Sequence, residues 1–212
     1  MQEIIIIALK QTLIMVLAST IFSVILGFVP AILLIITSDD GLKPNKFMYS
    51  ILDFIVNTLR SFPFVILMVI IMPLTKLLVG KSTGTLAAIV PLTIAAAPLV
   101  SRIIESALRE VDKGVIESAK SFGASNFQII FKVMLKEAIP SIVSGITLAL
   151  ISIVGYSAMA GTLGAGGLGD VAIRYGYQRF ETDFMIITCI ILIIFVQLLQ
   201  FLGNYFYGKL SN

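Results

Sequence analysis

The 212-residue sequence predicts an all-α membrane protein with five transmembrane helices. Three observations predict it. Hydrophobic residues make up 58% of the chain and charged residues 13%, about half the charge of an ordinary soluble domain, and the mean hydropathy is +1.05. Uncharged runs at 11–38, 82–101, 138–169 and 184–208 each reach the roughly 20 residues that a span needs. The runs are continuously apolar instead of alternating, which excludes a membrane β-barrel. So apolar a chain is not disordered, and little sequence is left over for a catalytic domain.

The first helix is expected at about 11–37. Its start carries Glu3 and its apolar run far exceeds the core of a signal peptide, so it reads as a span. The second is expected at 48–74. Its uncharged part, 61–75, is short alone, but Met48, Ile51, Leu52, Ile55, Val56 and Leu59 precede it at helical spacing. Asp53, Asn57 and Arg60 share the opposite face, so this half is amphipathic. Its polar stripe should face protein or water, and Pro63 should kink the helix. The remaining spans are expected at 84–103, 139–160 and 184–207.

Five spans put the termini on opposite sides. With the long loop 104–138 in the cytoplasm, the inside holds Lys43, Lys46, Arg60, Arg102, Arg109, Lys113, Lys120, Lys132, Lys136 and Lys209. The outside holds Lys10, Lys76, Lys81, Arg174 and Arg179. That bias favours an outer N-terminus and a cytoplasmic C-terminus.

Loop 104–138 is polar but patterned. Asp112 is placed to cap a short helix that Gly123 ends. Ser125-Asn126-Phe127-Gln128 fits a capping box for a second short helix, from Phe127 to about Glu137, and Pro140 marks entry to the fourth span. The expectation is a two-helix knob meeting at Gly123-Ala124-Ser125. Ser118, Ala119, Ser121, Gly123 and Ala124 crowd one arm with small side chains, which would let another protein approach the backbone. Phe127, Ile130, Phe131 and Met134 leave open a hairpin lying on lipid.

Glu117-Ser118-Ala119 followed by Gly123, with Val133-Met134-Leu135 and Ala138-Ile139-Pro140 downstream, resembles the EAA loop of ABC-importer permeases. Ser118 stands for the middle Ala, and Lys136 stands where the family often has Pro. Arg60-Ser61-Phe62-Pro63-Phe64, Ala88-Ile89-Val90-Pro91-Leu92-Thr93-Ile94 and Ala97-Pro98 resemble the methionine-importer permeases. So do Val154-Gly155-Tyr156-Ser157-Ala158-Met159 and Gly164-Ala165-Gly166-Gly167-Leu168-Gly169. The similarity covers nearly the whole chain. It implies a type I ABC importer permease fold, residues 1–212 forming one permease domain with loop 104–138 as its cytoplasmic coupling loop. It also implies a multi-pass protein of the bacterial plasma (inner) membrane. ATPase coupling then falls to Glu117, Ser118, Ala119, Ser121, Gly123 and Ala124. The implied partners are a second copy, two ABC ATPase subunits at the cytoplasmic face, and an extracytoplasmic substrate-binding protein, free or as a lipoprotein. The implied cargo is L- or D-methionine; another amino acid or a quaternary amine is the alternative, and an ATP-independent carrier a further one.

The other signals point the same way. There is no His, one Cys and no Trp, which removes histidine acid–base chemistry, a zinc cluster and an internal disulfide. No G-x-x-x-x-G-K-[ST] run occurs, so ATP-Mg belongs on a partner chain and no cofactor is expected on this one. Gly164, Gly166 and Gly169 spell G-x-G-x-x-G, but a membrane span precedes them where a strand would be needed, so nucleotide binding is set aside. A tight outer turn pressed by a partner and a flexible linker both remain open there. The net charge of +3 does not call for nucleic acid. Asp53, Asn57 and Arg60 read as interfacial groups pairing within the bundle in preference to an ion relay. Tyr156, Ser157 and Met159, late in the fourth span, are candidates for a pathway or gate, while Ser157-x-x-x-Gly161 equally fits helix packing. Cys189 reads as buried and inert.

Overall fold

The computed structural model describes residues 1–211. Helix α1 (Gln2–Thr37) starts nine residues before the expected 11. Lys10 does not stop it, because the side chain is exposed near the end of the span, where a long basic side chain can reach water. The helix is inside-out by the standard of soluble proteins. Thr12, Ser19, Thr20, Ser23, Gly27 and Ala31 are buried, whereas Ile14, Leu17, Ile21, Phe22 and Ile25 are exposed. In lipid, apolar bulk gains nothing by turning inward, and small residues let helices approach closely. The buried hydroxyls are satisfied along the helix: Thr20 Oγ1 donates to Val16 O at 2.7 Å and Ser23 Oγ to Thr20 O at 2.9 Å.

The expected second span is two helices, α2 (Lys46–Ser61) and α3 (Phe64–Val79), bent by 107° at the break. Pro63 offers no N–H and holds Phe62 in an extended conformation, which ends α2 instead of kinking it. Asn45 caps α2, its side chain accepting from Met48 N at 3.0 Å. Sixteen residues make α3 about 24 Å long, short of the ~30 Å hydrocarbon core, so the break falls close to membrane depth.

Helix α4 (Thr85–Arg109) runs six residues past its expected end. Glu105 and Arg109, expected in the loop, pair at i,i+4, and Glu105 pairs at i,i+3 with Arg102 of the expected span, which continues the helix. Helix α5 (Lys113–Ser121) begins as expected on Asp112, whose Oδ1 accepts from Gly114 N and Val115 N at 2.6 and 3.3 Å. Gly123 turns the chain with φ +77°. The Ser125–Gln128 capping box is present, but it opens no separate short helix. Helix α6 (Asn126–Ala165) is continuous through the fourth span. Pro140 lies within it; its φ is already helical, and only one backbone bond is lost, which membrane helices tolerate. The first turns are held instead by burial of Ile129, Ile130 and Met134 across a wide π-type turn (Ile129–Met134). After a second such turn (Gly161–Ala165) come the short α7 (168–177) and α8 (Thr182–Leu210).

Ala31, Ile35, Val100, Ile104, Leu108, Ile129 and Met134 form a core beneath α5. At the other end, Ile5, Ala8, Leu168, Val171 and Phe184 pack the starts of α1 and α8 with α7. Among the described residues the chain therefore passes along the bundle five times, counting α2 and α3 as one pass, with its N-terminus opposite α5.

Candidate functional site

The hairpin between α4 and α6 is a largely exposed polar feature. Glu117, Ser118, Ser121 and Gly123 are exposed, while Ala119 and Ala124 are half-buried and pack inward on the core under α5. The small residues thus split between an outward face and a face that seats the hairpin. A Cβ on Gly123 would meet nothing within 4 Å. Beside it Phe122 is 91% exposed. Sequence reading passed over this residue; a large apolar side chain alone in a polar turn was the available signal. Phe127, also exposed, stacks on Phe131 with ring centroids 4.4 Å apart. A groove of about 290 Å³ runs under α5, lined among others by Ile36, Leu42, Ile116, Glu117 and Met134.

At the far end the glycine-rich segment is tied down, which removes the flexible-linker reading. Gln11 Oε1 accepts from Gly167 N at 2.8 Å and Thr12 Oγ1 from Leu168 N at 2.9 Å. Gly84 N donates to Gly164 O at 2.9 Å and Thr85 Oγ1 to Ala165 O at 3.1 Å. Its close approaches are within the chain: a Cβ on Gly169 would sit 2.3 Å from Ala158 O, and one on Gly166 2.6 Å from Gln11 Oε1.

The three pathway candidates separate. Met159 is 48% exposed, on a face of α6 shared with exposed Leu148, Gly155 and Thr162. Tyr156 is half-buried and stacks on Phe64 at 5.0 Å. Ser157 is 2% exposed and donates to Val154 O at 2.7 Å. It sits one residue, about 100° of helix, from the Tyr156 direction and turns into the core, where Gly161 is also buried. Cys189 is exposed on α8, not buried as expected.

Asp53 and Asn57 do pair within the bundle. Asn57 Nδ2 donates to Asp53 Oδ2 at 3.0 Å, and Asp53 forms an ion pair with Arg102. Arg60 is exposed, and among the described residues it forms no ion pair. Glu105, unremarked in the sequence, is the buried centre of the group at 3% exposure. It accepts from Arg102 Nη1 at 2.7 Å and Arg109 Nη2 at 2.9 Å.

Residues 24–212 match the family model described as the binding-protein-dependent transport system inner membrane component. The chain belongs to that family. It is 50% identical over 194 residues, 92% of this chain and 86% of the relative, to a probable D-methionine transport system permease protein of Vibrio cholerae. It is 44% identical over 172 residues, 81% of this chain and 78% of the relative, to the methionine import system permease protein of Bacillus subtilis. A chain of the inward-facing MetNI methionine ABC transporter superposes with TM-score 0.98 at 40% identity, covering 100% of this chain and 98% of that one. The bundle is thus a multi-pass inner-membrane permease of the methionine-importer group, and the sequence resemblance drawn from the α5 and glycine-rich motifs is borne out.

Proposed function

We propose that the chain, as one permease domain over 1–212, carries methionine inward as part of an ATP-driven importer. The observation that carries this is the α5 hairpin: a capped, outward-facing knob with Glu117, Ser118, Ser121, Phe122 and Gly123 exposed at one end of a five-pass bundle in a chain of this family. Five passes are few to enclose a path for an amino acid, and a two-fold partner copy supplies ten. Each hairpin docks on one cytoplasmic ATPase, which holds ATP-Mg. Approach of the two ATPases draws the hairpins together and rotates the permeases to open outward; hydrolysis reverses it. A substrate-binding protein delivers methionine at the end carrying 161–180. This sets the N-terminus outside and the C-terminus in the cytoplasm, in keeping with the basic residues near α5. Ala119 and Ala124 serve the docking by seating the hairpin; the exposed members make the contact.

The deciding experiment reconstitutes the chain with its ATPase and binding protein in liposomes. ATP-dependent uptake of labelled L- and D-methionine is expected, out-competed by unlabelled methionine and not by a polar amino acid or a quaternary amine. Competition in the reverse order would reassign the cargo.

Met159 carries the gate proposal with half-buried Tyr156 behind it, and the burial of Ser157 supports a packing role for that residue. Met159→Ala shortens an exposed side chain, so the complex should assemble normally. Uptake or passive leak is expected to change by several-fold, since a truncation there is worth about 1 kcal/mol of contact. Unchanged uptake and leak would remove the gate.

A further inference from the structure

Helix α2 is poorly held by apolar packing: of its sixteen residues only Val56 is buried. It is held to α4 by charge. Arg102 spans the gap, pairing with Asp53 of α2 on one side and with Glu105 on the other. Glu105 also accepts from Arg109 Nε at 3.2 Å, and Arg109 Nη2 reaches Tyr49 Oη of α2 at 3.2 Å. Two carboxylates and two guanidinium groups balance to zero. Exposed ion pairs are worth little, but this one has a buried carboxylate at its centre, where charge-assisted bonds are stronger and loss of one partner is costly.

The group lies between the α5 hairpin and the break at Pro63. Only residues 110–112 separate Arg109 from α5, and Val111 among them is buried. Beyond α2 the chain breaks at Pro63, and the first residue of α3, Phe64, stacks on Tyr156 of α6. A displacement of α5 thus enters α4 at the turn that grips α2, and the chain that follows α2 meets α6 through Phe64 and Tyr156, one helical turn from Met159. Coupling between distant sites travels through such contiguous polar and packed contacts when they move as one element. We infer that Glu105 and Asp53 are positioning residues that lock α2 to the α4–α5 corner, so that hairpin motion reaches the pathway. The inference rests on the reading of α5 as the ATPase contact.

Two measurements test it, both on the full complex in liposomes. Glu105→Gln and Asp53→Asn keep side-chain shape and remove one charge. Neither residue lies on the hairpin surface, so ATPase co-purification and basal hydrolysis should persist. Methionine taken up per ATP should fall about tenfold, within the usual span of coupling energies, and Asp53→Glu should recover part of it. Uptake per ATP at the wild-type level in both variants would overturn the inference. Should either variant fail to assemble, spin labels decide on an intact network. They are placed through Phe54→Cys on α2 and Val115→Cys on α5, with Cys189→Ser removing the native thiol. Their separation should hold within about 2 Å between nucleotide-free and ATP-trapped states, the scale of small helix shifts. A larger change means α2 does not follow α5 and overturns the inference. The docking reading fails separately, by retention of the ATPase in Gly123→Asp.

Discussion

Gly123→Asp is expected to insert at the wild-type level and to lose its ATPase on purification. The two halves of that outcome have separate causes. Gly123 sits at φ +77°, where a β-carbon is disfavoured by roughly 1–2 kcal/mol, with Asp among the side chains that tolerate it best. The added atoms meet nothing within 4 Å. The N-terminal caps of α5 and α6 come from Asp112 and the Ser125–Gln128 pair, and the C-terminal closure of α5 at Gly123 uses backbone bonds alone, Gly123 N donating to Lys120 O at 2.9 Å and Ala124 N to Ala119 O at 3.1 Å. The bundle should therefore form. The new carboxylate lies beside exposed Phe122, on a surface that small residues leave open to a partner's backbone. A charge desolvated there without a partner costs several kcal/mol, enough to lower affinity by a factor of a thousand or more. Gly123→Ala shares the backbone strain without the charge and should keep a measurable share of the ATPase. Co-purification and coupled hydrolysis at wild-type levels in Gly123→Asp would remove the hairpin from the coupling role.

The hairpin was legible because its signals are local. An Asp before a turn of helix, a Ser-x-x-Gln box and a Gly in a left-handed turn each act within four residues. What sequence reading missed is set at longer range. Glu105 and Arg109 fell in the expected loop, because only the folded bundle brings Tyr49 and Asp53 of α2 to the group they form with Arg102. Continuity of α6 through Pro140 depends on the burial of Ile129, Ile130 and Met134, a tertiary term. Ser157 and Met159 looked alike as polar or soft residues late in a span. Which of them faces out depends on the rotation of α6 against α4 and α8, and no periodicity within a uniformly apolar run records that. The glycine-rich segment read equally as a tight turn and as a linker, and what decides between them is Gln11 and Thr12, 156 residues away, which supply its acceptors.

That turn gives the largest expected effect on folding. Gly169→Ala adds one carbon that would stand 2.3 Å from Ala158 O and 2.4 Å from Ala158 Cα. The three nearest atoms all belong to Ala158 backbone, so no side chain can swing aside and α7 must move off α6 as a body. Overpacking alone costs about 1–3 kcal/mol. Moving α7 also lengthens the bonds from Leu168 N to Thr12 and from Gly167 N to Gln11, and an unsatisfied amide near hydrocarbon costs several kcal/mol more. Leu168 and Val171, buried with Ile5, Ala8 and Phe184, would be drawn out as well. A loss of roughly 4 kcal/mol or more is expected, summed from those terms. It should appear as little protein in the membrane fraction and early aggregation of the remainder on heating in detergent. Gly208→Ala is the matched control: its added carbon meets nothing within 4 Å, and alanine is the better helix former by about 1 kcal/mol, so its heat resistance should equal or exceed that of the parent. If Gly169→Ala accumulates and resists heat as the parent does, the segment gives way to an added methyl, and its glycines must be explained by a contact outside this chain.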